Sequence, residues 1–196
     1  MRVIAGKYRS RQLRSLKGLA LRPTSDRLRE TLFNVLADRV AGSRFVDVFA
    51  GTGAVGVEAL SRGAAEAIFI ERHAPAATLV RKNIESLEIK SGTRVLSVDA
   101  LHGLELLEKE LEQGPHLATI VFVDPPYGNA DDYDRVLSFL GFTVLLDERS
   151  LVVAEHGKNF DLPETIGNLQ RVRVLKQGDA CLSFYRIVRS GQGRHR

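Results

Sequence analysis

Residues 45–60 read FVDVFAGTGAVGVEAL. The apolar run Phe45–Phe49 has the length of a buried strand. It leads into Gly51-Thr52-Gly53-Ala54-Val55-Gly56, which matches the G-x-G-x-x-G fingerprint in its required strand–turn–helix setting. A helix is predicted over 54–62, closed by Gly63. The glycines permit a tight turn and let a ligand lie against the backbone. Glu71 stands 20 residues beyond Gly51, at the end of the next apolar run, where a ribose-binding acid belongs. The motif alone fits a nicotinamide or flavin nucleotide as well as S-adenosylmethionine.

Outward from this turn, short apolar runs alternate with helical periods. Strands are predicted over 67–70, 94–98, 119–123 and 151–154, with helices over 75–87, 101–111 and 131–140. Pro75 suits a helix start. Upstream, a helix begins at Ser25, with Ser25 or Thr24 as cap and Leu28, Leu32, Val35 and Leu36 along one face. Downstream, two alternating runs, 170–175 and 181–188, read as an antiparallel hairpin joined at Lys176-Gln177-Gly178-Asp179. The pattern is α/β: a seven-stranded, mostly parallel sheet with helices on both faces and an antiparallel hairpin at the end. The division expected is a basic extension over 1–43 (a hairpin at 2–16, then the helix), a ligand-binding domain over 44–189, and a disordered polar tail over 190–196.

Acids recur at the carboxyl ends of the strands: Asp47 within the first, then Glu71, Asp99 and Asp124. Ligands of open α/β sheets bind outside those ends. Asp47 can brace the glycine turn or reach a cationic amino group, but it would repel a pyrophosphate. Asp99, followed by Ala100, can accept a hydrogen bond from an adenine amine. The fourth strand runs into Val123-Asp124-Pro125-Pro126-Tyr127, and two adjacent prolines stop a strand and fix the chain beyond it. Such a corner has no use in hydride transfer. It suits methylation of an exocyclic amine, whose lone pair is delocalised into its ring. Asp124 and the carbonyl of Pro125, held by Pro126, can accept the amine hydrogens, while Tyr127 stacks on the base. A base drawn out of its stack fits such a pocket, and catalysis there is positioning and electrostatics.

Charge is unevenly placed. The chain of 196 residues carries a net +4, but residues 1–29 hold nine basic side chains against Asp26 alone. The remainder is therefore mildly acidic, and the arm calls for a polyanionic partner. Most of its cations are arginines, interleaved with Tyr8 and Leu13, as bidentate phosphate contact and base stacking require. A single cysteine, Cys181, excludes an internal disulfide and fits a reducing cytoplasm; its alternating surroundings assign it to packing. No stretch suggests a membrane span or an export signal. His102, His116, His156 and His195 lack metal-ligand spacing, so no metal is expected. His73, following Glu71, could line an adenosine pocket but fits a helix-entry surface position better.

The stretches DVFAGTGAVGVEA and VDPPY, with Glu71, resemble the class I, Rossmann-like methyltransferases that act on exocyclic amines. MRVIAGKYRSRQL and LRPTSDRLRETLFNVL closely resemble the RsmD family, and the likeness runs over about residues 1–188 with its motifs in order. It implies transfer of a methyl group from S-adenosylmethionine to N2 of a guanine, guanine-966 of 16S ribosomal RNA. By that resemblance Asp47, Phe49, Gly51, Thr52, Gly53, Glu71, Arg72, Asp99, Ala100 and Asp124 bind the cofactor. Asp124, Pro125, Pro126 and Tyr127 hold the guanine, and the RNA meets Lys7, Arg9, Arg11, Arg14, Arg22, Thr24 and Arg27. The expected partner is 16S rRNA, in a small-subunit particle, met by a cytoplasmic monomer.

Three rivals share parts of this pattern. A DNA adenine-N6 methyltransferase uses the same tetrad, but the chain has no sizeable extra segment to read sequence. A non-catalytic RNA-binding assembly factor would be expected to have lost an acid or a glycine. A glutamine-amide methyltransferase usually carries Asn in place of Asp124 and has no need of a basic arm.

Overall fold

The computed structural model describes residues 1–15, 25–113, 118–126 and 130–189. The side chains of 112 and 113 are also left undescribed. Helix α1 spans Asp26–Leu36; then follow β1 (Arg44–Val48), α2 (Ala54–Ser61), β2 (Glu66–Ile70), α3 (Ala74–Ser86), β3 (Thr93–Leu96), α4 (Ala100–Lys109), β4 (Ile120–Val123), α5 (Ala130–Phe142), β5 (Leu151–Gly157), β6 (Thr165–Ile166), β7 (Leu169–Gln177) and β8 (Ala180–Ile187). The sheet order is β3-β2-β1-β4-β5-β8-β7-β6. The first five are parallel, and β8, β7 and β6 are antiparallel.

The strand count corrects the expectation of seven to eight among the described residues. The addition is β6, whose two residues pair with Leu169 and Gln170 across the turn Gly167-Asn168. Two residues are too few to show a period, so only that turn dipeptide marked it in the sequence. The long hairpin is tighter than expected, with β7 running through Gln177 and only Gly178-Asp179 as its loop. Strand β5 also continues past Ala154 to Gly157, because β8 pairs with it as far as Ala180.

Alternation sorts the sheet into two packed faces. Val46, Val48, Val121, Val123, Val152 and Ala154 meet α4 and α5 through Leu104, Leu107, Val136, Leu137 and Leu140. Phe45, Ile120, Phe122, Leu151 and Val153 meet α1 through Leu28, Leu32, Phe33 and Leu36. Ser25 caps α1 by accepting from Leu28 N at 3.1 Å. At the far end of the helix, Arg39 Nη1 donates to the Arg149 carbonyl below the start of β5. The first turn of α1 therefore lies toward the carboxyl ends of the strands.

The basic arm is docked by its backbone. Arg2 bridges Gln12 in antiparallel fashion, and Val3 and Leu13 are buried against Ala54, Val57 and Val80. Glu58 of α2 is fully buried and accepts from Ile4 N at 2.7 Å, Ala5 N at 3.0 Å and Arg62 Nε at 2.7 Å. Gly6 presses on α2 so closely that a Cβ would lie 1.8 Å from the Ser61 carbonyl oxygen. Among the described residues no helix is long and apolar enough to cross a membrane, and no group of three or more side chains could hold a metal ion. The tail expected over 190–196 lies outside the described residues.

Candidate functional site

The centre of the site is the switch point between β1 and β4, where connections leave the sheet in opposite directions. On the β1 side the chain turns through Phe49 (φ +66°), Gly51 (φ +56°) and Gly53 (φ +76°) before α2 begins. The left-handed values at 51 and 53 explain the glycines, whereas Phe49 is held there against its preference. Gly56 has a different reason: a Cβ would lie 2.4 Å from the Phe69 ring, so its absence lets α2 sit on β2.

Two acids brace this turn from below and beside. Asp47, buried on β1, accepts from Gly56 N at 2.9 Å through Oδ2, tying the strand to the first turn of α2. Burial pushes its carboxyl group up to about 8; the Gly56 N–H opposes this and the nearby Glu71 charge adds to it. Of the two roles open to Asp47, the geometry gives the brace. Glu71 ends β2 and accepts from Gly51 N at 2.8 Å and His73 N at 2.8 Å, one bond to each oxygen. A carboxylate has about four lone-pair sites, so capacity remains for ribose hydroxyls. Asp99 caps α4 by accepting from Leu101 N at 3.1 Å, and Arg135 Nη2 of α5 stands 3.6 Å from the same Oδ1. Ala100 and Thr52 are buried, while Arg72 and His73 are exposed.

This geometry fits S-adenosylmethionine. Over Gly51 an added Cβ would meet nothing nearer than 3.9 Å, so the main chain there is open to close approach. Gly51, Glu71 and Asp99 follow one another along the β1, β2 and β3 ends, the direction in which an extended nucleoside would lie.

On the β4 side, Asp124 N donates to the Val48 carbonyl at 3.4 Å, so the ladder reaches one residue past β4. Asp124 is half-buried, Pro125 buried and Pro126 exposed. The corner thus stands beside the glycine turn, each following a strand of the same pair. Tyr127, Arg22 and Thr24 lie outside the described residues. Lys7, Arg9, Arg11, Arg14 and Arg27 are exposed. Arg11 Nη2 donates to the Ser86 carbonyl at 2.8 Å, and the Lys7 ammonium lies 5.3 Å from the Tyr8 ring centre.

Several participants escaped the sequence reading. Asn83 of α3, fully buried, accepts from Arg14 N at 2.9 Å and donates to the carbonyls of Thr52 and Arg14. One amide therefore joins the basic arm to the glycine turn. Glu58 carried a readable signal, a charge inside an otherwise apolar helix; Asn83 carried none. Two further acids are buried at this end of the sheet among the described residues: Asp132, 6% exposed in the first turn of α5, and Glu155, 5% exposed on β5.

The family model described as Conserved hypothetical protein 95 matches residues 1–186. The Ribosomal RNA small subunit methyltransferase D of Escherichia coli K12 is 36% identical over 195 residues, covering 98% of this chain and 92% of that protein. A solved hypothetical protein of Thermus thermophilus superposes with a TM-score of 0.76 at 29% identity, over 95% of this chain and 99% of its own. The T. thermophilus 16S rRNA N2 G1207 methyltransferase RsmC, solved with AdoMet and guanosine, gives a TM-score of 0.65 at 18% identity, over 88% of this chain and 45% of its own, and shares the fold. The fold is that of the S-adenosylmethionine-dependent methyltransferases, and the chain belongs to the RsmD family.

Proposed function

We propose that the protein transfers a methyl group from S-adenosylmethionine to N2 of a guanine in 16S ribosomal RNA, guanine-966 by family resemblance. The observation that carries this reading is the juxtaposition across β1 and β4. The glycine turn and the Asp124-Pro125 corner leave adjacent paired strands, so a bound donor and a planar amine would meet at the switch point. The E. coli relative named for small-subunit rRNA methylation supports the substrate class.

When bound, the cofactor supplies an electrophilic methyl group on a sulfonium. The chain does the rest by placement. The Asp124 carboxylate and the Pro125 carbonyl accept the two N2 hydrogens, which turns the lone pair out of the ring plane. Pro126 fixes the angle of that carbonyl. As the new N–C bond formed, the sulfonium S–C bond would break to leave S-adenosylhomocysteine, and Asp124 would take the extra proton from the nitrogen. Tyr127 stacks on the base, and Lys7, Arg9, Arg14 and Arg27 meet phosphates of the surrounding RNA. Glu71 and Asp99 hold the ribose and adenine of the cofactor.

The test is a methyl-transfer assay with labelled S-adenosylmethionine, followed by nucleoside analysis. Substrates are small ribosomal subunits lacking the modification, naked 16S RNA and unmethylated DNA. N2-methylguanosine in the RNA is the expected product. N6-methyladenine in DNA would give the protein a different substrate, and cofactor binding with no product would leave it a binding protein.

A further inference from the structure

Asp124 has a neighbour that the methyl-transfer reading leaves without a role. The ladder between β4 and β5 ends at Val123 opposite Ala154. One step further places Asp124 beside Glu155, and parallel strands lie about 4.8 Å apart. Continued strand alternation puts the two side chains on one face. Phe122 and Val153 pack toward α1, and Asp124 and Glu155 each follow two residues later. Strand β5 is still paired at Glu155, to Leu182 of β8. The Glu155 carbonyl accepts from Tyr133 Oη at 2.6 Å, and the Tyr133 ring leans on Phe160 at 5.0 Å between centres. The backbone that carries Glu155 is thus fixed on both sides.

A carboxylate only 5% exposed is costly where the strand alone would be served by another valine. Both acids make further interactions within the protein, so an incoming base would share or replace existing partners. The order across the sheet suggests which base. The cofactor turn lies over β1 and β2, the amine acceptor over β4, and Glu155 over β5. Guanine presents the matching series along its Watson–Crick edge: the amine at N2, then a second donor at N1. Adenine has a bare lone pair at its N1.

We propose that Glu155 is a specificity-determining residue of the acceptor pocket, its carboxylate accepting the N1–H of the target guanine while Asp124 and Pro125 hold N2. This inference rests on the guanine-N2 reading above. It gives the two carboxylates separate duties: Asp124 enables transfer, and Glu155 selects the base. A purine with an N2 amine but no N1–H would set its ring lone pair against the Glu155 carboxylate. Sites built to bond a substrate hydrogen reject analogues lacking it far more strongly than apolar pockets do.

The test compares an RNA fragment carrying the mapped target guanine with the same fragment carrying 2-aminopurine there. The wild-type enzyme is expected to favour guanine in kcat/KM by about 100-fold or more. Glu155→Gln should collapse that ratio at least tenfold, because its amide can donate to the bare N1 of 2-aminopurine. Equal falls on both substrates, or an unchanged ratio, would overturn the proposal, since a merely structural role lowers both alike. Should Glu155→Gln fail to fold, Glu155→Asp serves: its shorter reach should shrink the ratio, and a wild-type ratio overturns the proposal. If the wild-type enzyme leaves the guanine RNA unmethylated, the functional reading falls and takes this inference with it. If it methylates guanine but Glu155→Gln keeps its ratio, only the inference falls, and Asp124 reads both donors.

Discussion

The glycine turn after β1 and the Asp-Pro-Pro corner after β4 lie side by side and are held by opposite means. In the turn, rigidity comes from hydrogen bonds that converge on it. Asp47 takes Gly56 N, Glu71 takes Gly51 N, and Asn83 donates to the Thr52 carbonyl. In the corner, rigidity is covalent, supplied by two proline rings. The acids of the turn therefore shape the loop by hydrogen bonds, whereas the shape of the corner rests largely on its proline rings. Substitutions in the first region should confuse structure with binding; those in the second should separate binding from chemistry.

The largest effect is expected at the corner. Asp124→Ala should lower the rate of transfer by about 1,000-fold or more, as loss of a proton acceptor and an oriented charge predicts. Cofactor affinity, read by calorimetry, should stay within about threefold. A matching collapse of cofactor affinity would break the contrast between the two regions. In the turn, Asp47→Ala leaves Gly56 N without its acceptor and should weaken cofactor binding about tenfold or more while lowering the melting temperature. Asp47→Asn retains an oxygen for that N–H and should do much less of both. Equal behaviour of the two variants would mean that Asp47 acts through its charge and not as a brace.

The arm gives a smaller, salt-dependent effect. Its backbone is committed to α2 and α3, and Arg11 is tied to the end of α3, so Arg9 and Arg14 are the cleaner probes. Replacing both with Ala should weaken RNA binding and make the slope of log affinity against log salt shallower by about 1.4. Cofactor affinity in the absence of RNA should not change. A slope equal to that of the wild type would remove these arginines from the RNA interface.

The parallel sheet and the glycine turn were legible because each rests on a local pattern: apolar runs of strand length, glycines at fixed spacing, and acids at strand ends. What escaped depends on residues distant in sequence. Glu58 stands out as a lone charge in an apolar helix, but its partners, the N–H groups of Ile4 and Ala5, lie more than fifty residues earlier. Asn83 is anonymous within α3 until Arg14 and Thr52 meet on it. Arg11 counts as a free cation in the sequence, yet its guanidinium closes the end of a helix. The apolar run that predicts the fifth strand stops at Ala154, and the burial of the next residue, Glu155, depends on β5 continuing with β8 past β4.

Two buried titratable groups set the smallest effect, a pH dependence of stability with two slopes. His156 bonds Gly157 O through Nδ1 at 3.0 Å and Ser183 Oγ through Nε2 at 2.9 Å. A carbonyl only accepts, so the proton sits on Nδ1 and Nε2 accepts from the hydroxyl. Burial, aided by the Arg171 charge, holds this imidazole below its ordinary value of 6.5, against the bonds of Gly157 and Phe160 and the charge of Asp161. Its contribution is thus complete above about pH 6.5 and is lost as pH falls below, where the unfolded chain binds the extra proton. Asp47 has the opposite sign. Its folded value of about 8 lies above the ordinary 3.8, so the folded chain holds the extra proton between them, and stability falls as pH rises through that range. Just below pH 6.5 the His156 slope opposes that of Asp47; from about 6.5 to 8 only the Asp47 slope of the two remains, at most about 1.4 kcal/mol per pH unit. Urea midpoints should therefore decline from pH 6.5 to 8. Asp47→Asn should flatten that decline and uncover an acid-side loss below pH 6.5. His156→Gln should instead extend the decline down toward pH 4. Parallel curves for wild type and both variants would mean that neither group titrates in the folded chain across this range.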